Sequence, residues 1–167
     1  TTAWLAIYNA AAAQTYPNRP IKFVVPFPPG GNLDFIARVI QPRFGEHLGA
    51  TLVIDNKAGA AGIVGAEFAA RQPADGYNIF LGNTGTMALY PVVYPKLPYD
   101  ALKDFAAVGQ IASSSQLMAI HPSIPAKTLP EFIALAKKNP GKLTIAVAGL
   151  GSTSHFSAEL LKSRAGI

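Results

Sequence analysis

Short apolar runs and longer amphipathic stretches alternate along the first half of this chain. The apolar, β-branched run at 21–25 predicts a buried strand, and apolar residues then recur at the spacing of one helix face. Those positions are Leu33, Ile36, Ala37, Ile40, Phe44 and Leu48, with Gly49 after the last turn. Strands at 51–54 and 77–81, with a small-residue helix at 62–70 between them, complete a β-α-β-α-β order. This order predicts a parallel sheet with right-handed crossovers and a ligand crevice at the carboxyl ends of its strands.

The pattern changes after residue 90, where three prolines interrupt an aromatic stretch that extends to residue 104. Such a stretch is typical of a segment running over the surface, and we place a domain boundary near Phe105. Beyond this boundary, apolar runs predict strands at 106–112, 116–121 and 143–147.

Two further helices are predicted in the second half of the chain. Thr128 and Glu131 have the spacing of a capping box, and Pro140 with Gly141 ends the helix that they open. The positions of this helix that are predicted to face inward are Leu129, Phe132, Ile133 and Ala136. A last helix follows the Gly-rich segment at 148–152, and its apolar residues are Phe156, Leu160 and Leu161.

The composition limits which classes of molecule this protein is expected to bind. The chain has 167 residues, is 50% hydrophobic and carries a net charge of +5, yet only 14% of its residues are charged. Its basic residues are scattered and form no cluster with interleaved aromatic residues, so nucleic acid is not an expected partner. There are no cysteines, which excludes disulfides and thiolate metal sites and is compatible with an oxidising compartment.

The first residues are typical of a secretory leader. An apolar run at 4–8 leads into four alanines and a glutamine at 10–14, which resembles the end of a signal peptide at its small-residue cleavage site. We therefore predict an exported protein, with a short N-terminal helix as the alternative. The predicted divisions are a signal-peptide remnant or extension at 1–15, domain one at 16–105, and the start of a second α/β domain at 106–167. We expect this second domain to be truncated, because it has too few strands to cover a core.

Two strand-to-helix loops and the loop after the third predicted strand carry the candidate binding chemistry. Glycines at the start of a helix allow close approach of the backbone, and helix N-terminal N–H groups attract anions. The candidate ligand-binding residues are Phe27, Gly30, Gly31, Asn83, Thr84, Ala148, Gly149, Ser152, Thr153 and His155. Each has an alternative structural role: a core position for Phe27, turn or cap hydrogen bonds for the polar residues, and packing for His155. Asp34 would repel an anion, so we interpret it as structural, and we interpret the glycines at 59–65 as close helix packing.

Several motifs in order carry a family resemblance. They include Tyr16 to Ile21, Val24 to Gly31 with Asp34, Asp55 to Lys57, Gly59 to Gly65, Pro73 to Tyr77, Lys96 to Asp100 with Lys103 to Phe105, and Pro140 to Leu143 with Gly149 to Ser152. Together they resemble the Bug family, the solute-binding receptors of tripartite tricarboxylate transporters. The resemblance implies a type II periplasmic binding protein-like fold, in which two α/β domains close on a small mono- or dicarboxylate. It further implies a non-enzymatic receptor without metal or organic cofactor, expected to be monomeric, that serves the membrane components of a transporter.

A serine hydrolase is the alternative hypothesis. Its nucleophile would be Ser152 or Ser154, its acid a residue such as Asp34, and its base a histidine. The histidines of the chain are His47, His121 and His155. The motif G-x-S-x-G of a nucleophile elbow is absent from the sequence, so only a Gly-Leu-Gly-Ser turn after a predicted strand supports this alternative.

Overall fold

The computed structural model describes residues 16–167, so the predicted leader remnant at 1–15 lies outside the described part of the chain. The elements in chain order are β1 (Ile21–Val25), α1 (Asn32–Leu48), β2 (Leu52–Asn56), α2 (Ile63–Ala70), β3 (Asn78–Phe80), α3 (Tyr90–Val93), α4 (Leu129–Lys138) and α5 (Thr153–Ala165). A 3₁₀ turn at Ala60–Gly62 precedes α2, and a π-helical turn at Gly85–Leu89 precedes α3. Within residues 16–167, no helix has both the length and the apolar character needed to cross a bilayer.

The first half of the molecule is built on a three-stranded sheet. Its order is β2-β1-β3 and both pairings are parallel, which confirms the predicted topology. Because β1 lies in the centre and is covered on both faces, Ile21, Val24 and Val25 are fully buried. The strand order reverses on either side of β1, so the topological switch point lies at the carboxyl ends of β1 and β3.

Helix α1 covers one face of this sheet. Its Ala37 is buried with Phe23 and Leu52, and the Phe23 and Phe44 rings meet edge to face with centroids 5.9 Å apart. Leu33, Ile40, Phe44 and Leu48 pack around this cluster. Gly49 ends the helix in the left-handed conformation, with φ of 63°. The predicted amphipathic face and the predicted end of the helix are therefore confirmed.

The opposite face of the sheet is covered by α2 and by part of the proline-rich stretch. Ala66, Tyr99 and Ala101 form a buried cluster there, with Phe80 packed against it. The prediction that residues 90–104 run over the surface is wrong for their aromatic residues, because Tyr90 and Tyr99 are only 1% and 6% exposed. The prolines turn the chain so that these rings point into the molecule.

The second half of the chain keeps its predicted helices but not its predicted strands. Residues 106–112, 116–121 and 143–147 pair with no other strand in the described part of the chain, so the three predicted strands are not found. A strand needs a hydrogen-bonded neighbour, and the sheet found in residues 16–167 is confined to β1, β2 and β3. Apolar side chains in these segments are consequently exposed, as at Val108 and Leu117.

The inward-facing positions predicted for α4 and α5 are also only partly covered. Leu129 and Leu160 are exposed, whereas Phe132, Ile133, Ala136, Phe156 and Leu161 are half-buried. Both helices nevertheless begin where the sequence places them, because Thr128 and Ser152 accept hydrogen bonds from the backbone N–H groups of Glu131 and His155. Their start positions are thus determined locally, without a closed core around them.

Candidate functional site

The loop between β1 and α1 is organised by the carboxylate of Asp34. Asp34 Oδ2 accepts hydrogen bonds from Gly30 N–H at 2.8 Å and from Arg38 Nε at 2.9 Å. Asp34 Oδ1 accepts one from Asn56 Nδ2 at 3.0 Å, and the same Asn56 amide donates to the Phe27 carbonyl at 3.0 Å. Asp34 therefore links the loop to β2 and to the next turn of α1, which supports its interpretation as a structural residue.

The charge of Asp34 is stabilised although its side chain is only 2% exposed. The hydrogen bond from Arg38 is the largest cause, and those from Gly30 and Asn56 add to it, so the pKa of Asp34 lies well below its usual range. The same interaction raises the pKa of Arg38. The ionised carboxylate is thus engaged by fixed donors and is not directed towards a ligand.

The two glycines of this loop also use their own amides internally. Gly30 N–H is bound to Asp34, and Gly31 N–H donates to the Pro28 carbonyl at 3.2 Å. Gly30 adopts φ of 82°, in the left-handed region that favours glycine. The amides of the first turn of α1, which begins at Asn32, have no acceptor within the helix. They are therefore the backbone donors that this loop can offer to an anion.

The loop after β3 is closed by reciprocal hydrogen bonds between Asn83 and Thr86. Thr86 N–H donates to Asn83 Oδ1 at 2.9 Å, and Asn83 N–H donates to Thr86 Oγ1 at 3.1 Å. The buried Tyr99 hydroxyl donates to the Thr86 carbonyl at 2.6 Å, and burial raises the pKa of Tyr99 to about 12. The side-chain oxygen of Asn83 thus has the capping role that was the structural alternative for this residue. Thr84, the next residue, is exposed.

A strained turn at Ala60 and Ala61 is a feature that sequence reasoning missed. Both residues have positive φ, 44° and 53°, which is uncommon for alanine. The Ala61 carbonyl accepts a hydrogen bond from the buried Tyr90 hydroxyl at 2.8 Å. The glycine-rich run at 59–65 was the available signal, but alanines in the left-handed region are not recognisable from residue type.

Two glycines beside this turn do pack closely, as the sequence predicted. A methyl group added at Gly65 would lie 2.6 Å from Pro26 Cα and 2.7 Å from the Lys57 carbonyl oxygen. One added at Gly62 would lie 3.0 Å from Thr86 Cγ2 and 3.2 Å from Phe27 Cζ. Phe27, Gly62 and Thr86 therefore meet at the carboxyl edge of the sheet, and Phe27 is half-buried there.

The loop from Ala148 to Ser152 is held by side chains at the start of α5. Ser152 and Ser154 join their hydroxyls at 2.9 Å, and Ala148 N–H donates to Ser154 Oγ at 3.2 Å. Gly151 N–H donates to His155 Nδ1 at 3.1 Å. Ser152 therefore has the capping role that was its structural alternative. The backbone N–H of Ala148 is already hydrogen-bonded inside the loop.

This loop faces the edge of the first sheet. A methyl group on Gly149 would lie 4.0 Å from Ala61 Cβ, and one on Gly151 would collide with the Tyr94 hydroxyl. The Asn32 side-chain amide, at the start of α1, also donates to Ser114 Oγ at 3.3 Å. The structure thus brings residues of both halves of the chain to one edge, with Thr153 following in the first turn of α5.

The geometry gives the hydrolase alternative no support. A serine hydrolase needs an imidazole nitrogen that takes the proton of the serine hydroxyl. His155 instead uses Nδ1 for Gly151 N–H, and its Nε2 lies 3.9 Å from Glu159 Oε1. His121 contacts Ser123, which is neither of the proposed nucleophiles, and Asp34 is bonded to Gly30, Arg38 and Asn56 and to no histidine. Among residues 16–167, no group of three or more His, Cys, Asp or Glu side chains is placed to hold a metal ion.

Comparison with known proteins identifies the family. A family model described as the tripartite tricarboxylate transporter family receptor, TctC, matches residues 36–167. The chain belongs to this receptor family. The predicted resemblance is confirmed, and the TctC family consists of solute-binding receptors and not of enzymes. The chain spans about half the length of the curated relatives it matches, at 36% to 37% identity for three of them.

Solved structures support the same assignment. Rpa4515 of R. palustris, solved with adipate, matches with a TM-score of 0.86 and 39% identity over 91% of this chain and 51% of that protein. MatC of Rhodopseudomonas palustris, solved with bound malate, matches with a TM-score of 0.78 and 31% identity over 91% of this chain and 52% of that protein. The periplasmic binding protein BugD matches with a TM-score of 0.76 and 31% identity over 91% of this chain and 50% of that protein. These TctC-like neighbours confirm the α/β periplasmic binding protein-like fold for the part that this chain covers.

Proposed function

We propose that this TctC-family protein captures a small mono- or dicarboxylate at the carboxyl edge of its sheet. The observation that carries the proposal is the approach of the Gly149 loop to Ala61, across from the first sheet. One carboxylate would lie against the first-turn amides of α1, where the helix dipole favours negative charge. Glycine and hydroxyl groups of the 148–153 segment would contact the rest of the ligand.

The proposed contacts are those of the ten candidate residues. Phe27 supplies an apolar wall, Gly30 and Gly31 allow close approach of the ligand, and Asn83 with Thr84 borders the same edge. Ala148, Gly149, Ser152, Thr153 and His155 supply or position the groups on the second side. Neutral donors suit reversible capture, because they hold an anion without a fixed opposite charge.

The ligands of the neighbours favour this substrate class. Adipate in Rpa4515 and malate in MatC are both dicarboxylates. Since both proteins have the same fold over this part of the chain, we take adipate and malate as the first probes.

Isothermal titration calorimetry tests the proposal. We expect adipate, malate or a related carboxylate to bind, and the diamide of the bound acid to bind far more weakly, because it lacks the charge that the helix N-terminus attracts. A panel of mono- and dicarboxylates that produces no binding heat would overturn the proposal.

A charge-introducing variant locates the bound carboxylate. Asn32→Asp places a negative charge on the first residue of α1 with little change in shape, and an acidic residue there is compatible with the helix dipole. We expect the dissociation constant to rise at least about tenfold by like-charge repulsion. Thr51→Glu is the matched control, because it adds the same charge at an exposed position at the start of β2, the opposite edge of the sheet. Equal effects of both variants would place the carboxylate elsewhere.

We also propose that the protein acts in the periplasm and delivers its ligand to the membrane components of a tripartite transporter. The family assignment and the likeness to the periplasmic protein BugD support this location. Osmotic shock of the native host should release the protein with the periplasmic fraction. Recovery only with the cytosol would contradict the proposal.

A further inference from the structure

His155 is placed to respond to pH at the edge of the proposed site. It lies in the first turn of α5, and its Nδ1 accepts a hydrogen bond from Gly151 N–H at 3.1 Å. Its other ring nitrogen, Nε2, lies 3.9 Å from Glu159 Oε1. The side chain is about one-third exposed, so the ring can exchange protons with water.

The hydrogen bond to Gly151 requires a neutral ring. A neutral imidazole has one acceptor nitrogen and one N–H donor, whereas the imidazolium has two donors and no acceptor. Because Nδ1 accepts from Gly151, the proton of the neutral ring is on Nε2. A second proton would bind to Nδ1 and place two donors opposite each other. Protonation of His155 must therefore break this bond.

The groups around the ring determine where an imidazolium would turn. Glu159 faces Nε2 from the next turn of α5, and Lys162 donates to its two carboxylate oxygens at 2.9 and 3.1 Å. That contact with Lys162 is the main reason why the pKa of Glu159 is lowered, so Glu159 is a carboxylate at neutral and mildly acidic pH. The Phe156 ring lies beside the imidazole with centroids 6.0 Å apart. The Ser152 hydroxyl accepts from the backbone N–H of His155, and the Tyr94 hydroxyl, beyond the end of α3, lies against Gly151. An imidazolium would thus be attracted to Glu159 and away from Gly151.

We propose that His155 is a positioning residue that holds the 148–152 loop at neutral pH and releases it on protonation, so that ligand affinity falls in acid. The proposal rests on the proposed function, because the loop is assigned there to the ligand. Imidazolium charge alone would strengthen anion binding. Glu159 offsets that charge, however, whereas nothing on the ring replaces the acceptor that Gly151 loses.

Amide NMR of the labelled protein tests the hydrogen bond without a ligand. Across a pH series, we expect the Gly151 amide resonance to move together with the ring resonances of His155. The matched control is His121→Asn, which removes a second histidine whose Nδ1 also accepts a backbone N–H, that of Ser123. It should leave the Gly151 titration unchanged. A Gly151 resonance that is constant across the titration of His155 would overturn the proposal.

Ligand binding to two variants of His155 tests the positioning role. In His155→Asn, the side-chain oxygen can accept a hydrogen bond in place of Nδ1 at every pH. In His155→Phe, a ring is kept but has no acceptor. For the bound carboxylate, we expect the dissociation constant of the unmodified protein to rise about fivefold on acidification, the size of one hydrogen bond. Binding to both variants should no longer depend on pH, and His155→Asn should bind more tightly than His155→Phe, because its side-chain oxygen still accepts from Gly151. A pH dependence that persists in both variants would overturn the positioning role. Failure of every carboxylate to bind would instead overturn the proposed function. The NMR titration would then still decide whether the hydrogen bond breaks.

Discussion

Asp34 connects three separate parts of the chain through one side chain. Its carboxylate receives hydrogen bonds from the loop at Gly30, from β2 at Asn56 and from Arg38 one turn along α1. A buried carboxylate is tolerated because each oxygen has a donor. The shape of the loop that precedes α1 therefore depends on Asp34 being ionised.

We expect Asp34→Asn to destabilise the protein in a pH-dependent way. The folded-state pKa of Asp34 lies well below its ordinary value of 3.8, so the ionised group stabilises the fold above that value. This contribution is lost as the pH falls below 3.8 towards the folded-state pKa. Urea denaturation should therefore show a large difference between the two proteins at about pH 7 and a smaller one at about pH 3.

The partner of Asp34 provides a control for this prediction. Arg38→Met removes the largest cause of the lowered pKa and keeps an aliphatic chain of similar length. It should reduce the acid dependence of stability without abolishing it, because Gly30 and Asn56 still donate. An equal loss of stability in Asp34→Asn at both pH values would show that shape, and not charge, is the important property of the side chain.

At the scale of elements, α2 lies in close contact with Pro26, the residue that follows β1. Gly65 of α2 lies against Pro26 and the Lys57 carbonyl, with no space for a side chain. Gly62, which follows the turn at 60–61, lies next to Phe27 and Thr86. The position of the strained turn therefore depends on a small residue one helical turn away.

Gly65→Ala should destabilise the fold by about 1–3 kcal/mol, because the new methyl group meets backbone atoms that cannot move aside. Chemical denaturation measures this loss. Gly109→Ala is the control, since a methyl group there has no atom within 4 Å and φ is not in the left-handed region. Its effect should stay within about 0.5 kcal/mol. Similar losses for both variants would indicate that the approach of α2 is less close than described.

The elements that could be predicted from the sequence are those specified by local signals. The run at Ile21–Val25, the helical spacing up to Leu48 and the cap at Thr128 each act within a few residues. The strands predicted after residue 105 were wrong because an apolar run has no information about whether a partner strand lies beside it. Pairing is a property of the sheet, and the sheet of the described residues includes only β1, β2 and β3.

The arrangement of the loops was predicted in outline, but their hydrogen bonding was not, and the ligand contacts stay a prediction. Strand-to-helix order alone predicts that the loops near Gly30 and Asn83 share one edge. The engagement of Gly30 by Asp34 and of Gly151 by His155 depends on side-chain orientation. The inward turn of Tyr90 and Tyr99 and the left-handed backbone of Ala61 depend on tertiary packing, which residue spacing does not show.

At the scale of the whole molecule, the order β2-β1-β3 has a consequence for folding. Ile21 pairs with Leu52, whereas Lys22 of the same strand pairs with Asn78, which is much farther along the chain. Closing the longer loop costs more chain entropy, at about 0.6 kcal/mol for each doubling of loop length. We therefore expect the β1-α1-β2 unit to assemble before β3 docks on its other side. Since the crevice lies between β1 and β3, it is completed last, and the three-residue edge strand β3 is where native-state hydrogen exchange should open it first.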